Sequence, residues 1–163
     1  MFNLGLCYER GKGVKQDMKK AFDLFQRASD RGNVDATYSL GSCYERGEGV
    51  KQDVKKATDL YQVATYKNST KAMKRLALCY ENGEGVERDM KKAVHLYTLA
   101  SEMGDFDAYQ RLSELRDPRA KYHLGVCCEK GNGVRRDLEE TAELFQRASD
   151  LSNSDAEFSL ALL

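Results

Sequence analysis

The residues of this chain that could do chemistry are few. They are five cysteines, two histidines and a lysine flanked by glycines. Cys127 and Cys128 are adjacent, and His123 stands four residues before Cys127, a spacing that sets an imidazole and a thiol on one helical face as two zinc ligands would sit. Structural zinc takes four ligands, there is no Cys-x-x-Cys pair and no fourth ligand lies nearby, so no metal is expected. Neither His95 nor His123 has a serine or cysteine and a carboxylate in a recognisable catalytic pattern. Gly11-Lys12-Gly13 superficially suggests a phosphate loop. It lacks the Gly-x-x-x-x-Gly-Lys-Ser/Thr string and returns without its lysine as Gly47-Glu48-Gly49, so its repetition marks it as structural. No catalytic residue and no cofactor is expected.

That repetition organises the whole chain. Gly47–Asp53 recurs as Gly11–Asp17 thirty-six residues earlier, as Gly83–Asp89 thirty-six later, and as Gly131–Asp137 after a further forty-eight. A fixed period in the range of about 20–50 residues implies stacked supersecondary units, each burying its apolar face on its neighbours. The expected fold is all-α, a right-handed α-solenoid of antiparallel helix pairs with a 36-residue repeat.

Composition narrows the function classes. Hydrophobic residues are 41% but come in short runs, and no stretch approaches the roughly 18–20 apolar residues of a membrane span, so no membrane insertion is expected. Lys plus Arg equals Asp plus Glu at 26 each, which leaves no basic excess to release counterions from a phosphate backbone. Nucleic acid is therefore not an expected partner. No signal peptide is visible. Met1 falls in mid-repeat and Leu163 stops inside another, so the chain reads as a piece of a longer array.

Aligned on Asp17, Asp53, Asp89 and Asp137, each unit holds two helices. Helix B starts at those aspartates, whose carboxylates suit free amides and the positive helix end. Apolar and small residues follow at helical spacing, as Ala57, Leu60, Tyr61 and Ala64, then Ala93, Leu96, Tyr97 and Ala100. Helix B should stop near Gly32, Asn68, Gly104 and Ser152, in left-handed backbone, with Ser152 the weakest stop. Helix A opens directly afterwards on Asn33, Ser69, Asp105 or Asn153, all good N-caps, and ends at Gly47 or Gly83. In the connecting loop the two glycines take positive-φ or crowded positions and the valine tucks between the helices.

The expected division is a partial repeat 1–32, repeats 33–68 and 69–104, a degenerate insert 105–116, a repeat 117–152 and a partial repeat 153–163, all in one solenoid 1–163. In the insert, Asp105, Ala108 and Leu112 match a helix A, but no glycine loop follows. Asp117-Pro118 starts another helix A at once, because proline at the first helical position gives up a donor that would be unpaired anyway. Two readings stand for the insert: a bend or local loosening of the superhelix, or a short extra helix packed in an otherwise regular stack.

The residues Ala36, Leu40, Gly41, Tyr44, Gly47, Gly49, Val50, Asp53, Lys56, Ala57 and Ala64 resemble the Sel-1-like repeat, a relative of the tetratricopeptide repeat with a longer interhelix loop. The resemblance covers essentially the whole chain. Its departures are Ala77 for the glycine, Cys128 for the tyrosine, and Thr141 for the helix-B alanine. It implies a non-enzymatic scaffold or adaptor in signalling, in membrane-associated complexes, in cell-wall regulation or in host contact. Some members are credited with binding or hydrolysing β-lactams, but no Ser-x-x-Lys occurs in this chain. A cysteine-rich secreted branch pairs cysteines on both helices of a repeat; here Ala64 and Ala100 stand in such places.

On a wheel of helix A, Ala36, Leu40 and Cys43 share one face and Thr37, Gly41 and Tyr44 a second, and these positions largely repeat. The third face does not. It carries Asp35, Tyr38, Ser39, Ser42 and Arg46, then Lys71, Lys74, Arg75, Leu78 and Asn82, and later Arg119, Tyr122, His123, Val126 and Lys130. In related solenoids this helix lines the concave wall, so these residues are the expected partner-binding stripe. The plainer reading is a solvated face whose variation is drift. Lys71, Lys74, Arg75, Arg119, Lys121 and His123 make its middle basic, with Asp35, Asp155 and Glu157 flanking, which suits an acidic or phosphorylated peptide. The alternative function is an architectural spacer whose apolar ends, such as Phe158–Leu162, self-associate or dock on further repeats.

Cys7, Cys43, Cys79 and Cys127 fall at one buried helix-A position, roughly 9–10 Å apart in neighbouring repeats and beyond the ~7 Å reach of a disulfide. Core thiols and a reducing, cytoplasmic compartment are expected. The sequon Asn68-Ser69-Thr70 would be usable in a secretory lumen.

Overall fold

The computed structural model describes residues 1–115, 117–132 and 134–162. Among them lie ten helices and no strand: α1 (Phe2–Arg10), α2 (Met18–Ser29), α3 (Val34–Arg46), α4 (Val54–Tyr66), α5 (Thr70–Asn82), α6 (Met90–Glu102), α7 (Phe106–Glu114), α8 (Pro118–Lys130), α9 (Leu138–Asp150) and α10 (Ser154–Leu160). No described helix is long and apolar enough to cross a membrane. The chain divides into two compact units, Met1–Asp89 and Met90–Leu163. In the first, α1 to α5 each pack on the next in chain order. In the second, α6, α7 and α8 pack on one another, α9 packs on α8, and α10 on α9.

Side-chain caps set the helix starts. Asp17, Asp53 and Asp137 accept backbone N–H bonds from Lys20, Lys56 and Glu140, each at 3.0 Å, and so open α2, α4 and α9. Asn33, Asp105 and Asn153 do the same for Ala36, Ala108 and Ala156, opening α3, α7 and α10. Asp117 caps α8 with Pro118 at its first position. At the other ends, Asn68 and Ser152 take left-handed backbone with φ of 61° and 67°, alongside Gly32 and Gly104. The next N–H then reaches back, Ser69 to Ala64 O at 3.1 Å and Asn153 to Ala148 O at 3.0 Å, satisfying carbonyls that the helix end exposes. Ser152 is an unfavourable residue for this turn, yet it adopts it.

The loop between helices A and B is closed from both sides. Asp17 N–H bonds Tyr8 O, Asp53 bonds Tyr44 O and Asp89 bonds Tyr80 O. One residue earlier, Gln16, Gln52 and Arg88 donate side-chain bonds to the carbonyls of Glu9, Glu45 and Glu81. The loop valines Val14, Val50 and Val86 are half-buried rather than enclosed. Gly133 lies outside the described residues, as do Arg116 and Leu163.

In each unit the core is the repeating pair of faces. Ala36, Thr37, Leu40, Gly41, Cys43 and Tyr44 are all buried in α3, as its two packing faces require. A Cβ on Gly41 would stand 2.7 Å from the ring of Tyr61, so the glycine lets this buried ring lie against the backbone of its partner helix. The insert takes the form of a nine-residue helix, α7, in contact with both α6 and α8. Its Tyr109 has a specific job. Cys128 occupies the register of Tyr44, whose ring meets Phe22 edge-on at 5.4 Å and sits under the Lys56 ammonium at 4.4 Å. The Tyr109 hydroxyl, from another helix, contacts Cys128 Sγ at 3.2 Å and Glu140 Oε1 at 3.3 Å, beside the position that lacks the ring.

Candidate partner-binding face

In the Met1–Asp89 unit the A helices are α1, α3 and α5. Asp35, Tyr38, Ser39, Ser42 and Arg46 of α3 and Lys71 of α5 line one cleft of about 360 Å³, together with Phe2, Leu6, Glu9 and Arg10 of α1. The cleft exists because the other two faces of α3 are consumed by packing, which leaves the third directed outward. Tyr38 is half-buried with its ring 5.6 Å from that of Tyr61, so it forms a firm floor. Ser39 and Ser42 are half-buried beside it, and Asp35, Arg46 and Lys71 are exposed.

The remaining α5 members of the stripe are Lys74, Arg75 and Leu78, which are half-buried, and Asn82, which donates to Glu84 Oε1 at 3.0 Å. In the Met90–Leu163 unit the stripe residues belong to α8. Tyr122 lies against Phe145 at 5.6 Å and against the His123 ring, Val126 is half-buried and Lys130 is exposed. Arg119 lines a recess with Lys91, Ser154 and Asp155.

Of the cations expected to make the stripe basic, Arg75, Arg119 and Lys121 are engaged within the protein. Arg75 donates to Glu45 Oε1, and Tyr61 donates to Glu45 Oε2 at 2.8 Å, tying α5, α4 and α3 together. Arg119 forms a fork with Asp117, through Nε at 2.9 Å and Nη2 to the other oxygen, which holds the Asp117 carboxyl below its ordinary range. Lys121 donates to the carbonyl of Ser113. Burial pushes His123 down, so its charge is disfavoured at neutral pH. Among the described residues, Lys71 is the stripe cation that stands in the cleft with no such bond.

The thiols are packing groups. Cys43, Cys79, Cys127 and Cys128 are buried and all five cysteines are free; Cys7 is only half-buried, a departure from the expected shared burial. Burial pushes Cys43 and Cys79 up to about 11 and also raises Cys127 and Cys128. The vicinal pair diverges: Cys127 faces Ser101 at 3.7 Å while Cys128 faces Tyr109. Glu45, Cys79 and Glu84 bring one ligand atom each within 4.8 Å of one another. Glu45 already accepts from Tyr61 and Arg75, and a protonated thiol is a poor ligand, so the donor set does not suit a cation.

Phe2, Leu6, Glu9 and Arg10 were not among the residues expected from sequence to bind. Phe2, Leu6 and Arg10 stand thirty-six residues before Tyr38, Ser42 and Arg46, so the repeat register itself identifies them. Glu45 gave a different signal: it recurs as Glu9, Glu81 and Glu129, but recurrence alone does not say which cation it meets.

The Sel1 repeat family profile matches residues 1–33, 34–69, 70–105 and 118–153. Helix α7 falls between the last two matches. Among solved structures, the chain is similar to a protective antigen present in uropathogenic Escherichia coli strains and displaying an SLR fold, at 26% identity and a TM-score of 0.64, over 98% of this chain and 39% of that one. It is also similar to a Sel1 repeat protein from Oxalobacter formigenes, at 26% identity and a TM-score of 0.63, over 98% of this chain and 60% of that one. It thus spans less than two thirds of either structure. No curated protein matches the chain.

Proposed function

Because the chain belongs to the Sel1 repeat family, whose members are generally scaffolds for protein interactions, we propose that it is a non-enzymatic adaptor that holds a protein or peptide partner on the variable face of its A helices. One observation carries this reading. Six stripe residues, Asp35, Tyr38, Ser39, Ser42, Arg46 and Lys71, line a single cleft, while the repeating residues between them are buried. Positions released from the packing rule are where a specific surface can be written. Burial raises the pKa values of the four buried thiols, which disfavours the thiolate that a cysteine nucleophile needs and suits the non-enzymatic reading. Free buried thiols also suit a reducing compartment such as the cytoplasm.

The test fills the cleft without touching the core. Ser39→Arg with Ser42→Arg places two long side chains over it, on helix positions that tolerate arginine. Affinity capture from a cognate lysate with the wild-type chain and this variant should show partners lost from the variant, with the helical circular dichroism unchanged. Identical capture by both would remove the cleft from the function.

A second reading has its own observation. Phe158 of α10 and Leu162, just beyond its end, are 69% and 71% exposed. They stand at the register of Tyr122 and Val126, and the Tyr122 ring is covered by Phe145 of helix B. An architectural or self-associating segment would use this surface. Light scattering that rises with concentration, and that Phe158→Ser abolishes, is its signature.

A further inference from the structure

Within the cleft of the Met1–Asp89 unit, chemistry changes in order from one A helix to the next. Helix α1 supplies Phe2 and Leu6, α3 supplies Asp35 above the Tyr38 floor, and α5 supplies Lys71. Asp35 and Lys71 occupy the same register position thirty-six residues apart, on A helices one repeat apart. Arg46 pairs with Glu48 at 3.2 Å, and Arg10 lies 3.9 Å from Glu9. Asp35 and Lys71 form no ion pair among the described residues. Two unpaired opposite charges thus face one cleft, with an apolar patch beyond the acidic one.

The order of the lining residues sets the order of the anchors. An extended segment advances about 3.3 Å per residue, so anchors three residues apart stand about 10 Å apart. Resting on the adaptor reading above, we infer that the cleft takes a peptide carrying three anchors in the order in which the A helices line it. These are a large apolar side chain over Phe2 and Leu6, a lysine or arginine at Asp35, and an aspartate or glutamate at Lys71. The basic anchor is the central one whichever way the chain runs. The pattern differs from an acidic or phosphorylated ligand, which would leave Asp35 facing like charge.

The test uses the full chain, labelled with ¹⁵N, and two capped peptides of identical composition. One is Phe-Gly-Ser-Lys-Gly-Ser-Glu, and the other, Phe-Gly-Ser-Glu-Gly-Ser-Lys, exchanges the charges. Amide shifts of α3 should move for the first peptide with an affinity at least about threefold tighter than for the second, the scale of two exposed charge contacts. The double variant Asp35→Lys with Lys71→Asp should reverse the preference, since both sites are exposed and folding is retained by circular dichroism. Equal affinities, no shifts with either peptide, or an unreversed preference would each overturn the charge rule. If capture still depends on Ser39 and Ser42 in that case, the adaptor reading stands without it; if capture also ignores them, both fall.

Discussion

Gly49 lies so close to the first turn of α2 that a Cβ there would meet the carbonyl oxygen of Met18 and stand 2.6 Å from its carbonyl carbon. The loop of one hairpin thus rests on the backbone of the preceding helix B, and the second loop glycine is the contact between repeats as well as a residue at φ +74°. Gly13 occupies the same loop position at φ +75°, yet a Cβ there meets nothing within 4 Å. The two sites separate the backbone effect from the contact effect. Gly13→Ala should cost only the left-handed conformation, about 1 kcal/mol. Gly49→Ala must also displace backbone and should cost about 3 kcal/mol or more. Urea denaturation of both variants reads the difference, and equal losses would mean that the loop does not carry the stacking.

Glu45 joins three helices, and its loss should cost more than the loss of its ion-pair partner. Its side chain is 14% exposed, against 32% for Arg75. Glu45→Ala strands both the Tyr61 hydroxyl, in a fully buried residue, and the Arg75 guanidinium. A loss of about 2–3 kcal/mol is expected. Arg75→Ala leaves Glu45 still accepting from Tyr61 and should cost about 1 kcal/mol. In the double variant the losses should fall short of additivity by about 1 kcal/mol. Strict additivity in a denaturation cycle would show that the three side chains do not act together.

The hairpin architecture was legible because its signals are local. An aspartate, asparagine or serine opens α2 to α5 and α7 to α10 by bonding an amide two or three residues on, and that geometry depends on sequence distance alone. The candidate face was legible as what fails to repeat. What the sequence could not supply was the fate of each cation. Arg75 reads as a free stripe residue, and only the fold brings it to Glu45, thirty residues away. The insert was legible as a broken helix A, but its use was not: that Tyr109 reaches Cys128 depends on how α7 meets α8.

Alkaline conditions should loosen the Met1–Asp89 unit through its thiols. Burial raises Cys43 and Cys79 from an ordinary value of 9.0 to about 11. A raised value in the folded state favours the protonated thiol there, so this stabilisation is intact below pH 9 and is lost as the pH climbs from about 9 to 11. By pH about 10.5 each thiol should have withdrawn about 2 kcal/mol. The reading is a comparison of slopes. Unfolding free energies between pH 8 and pH 10.5 should fall less steeply in the Cys43→Ala, Cys79→Ala variant than in the wild type. Parallel profiles would remove the thiols from the alkaline response.

The fourth hairpin should resist restoration of its tyrosine unless the insert is changed with it. Cys128 is fully buried, and the Tyr109 hydroxyl lies 3.2 Å from its sulfur. Cys128→Tyr brings a ring into that occupied space and should destabilise by about 1–3 kcal/mol. Tyr109→Ala alone opens a cavity and should cost a comparable amount. Combined, the new ring fills what the old one vacates, so the double variant should recover at least about 1 kcal/mol of the summed losses. Adding Glu140→Lys supplies the ammonium that Lys56 places over Tyr44 in the second hairpin, and should improve the double variant further. Denaturant unfolding of the four proteins in the cycle measures the coupling. A value near zero would mean that α7 sits beside the hairpin without completing it, and the twelve-residue interruption of the repeat would then be spacing rather than packing.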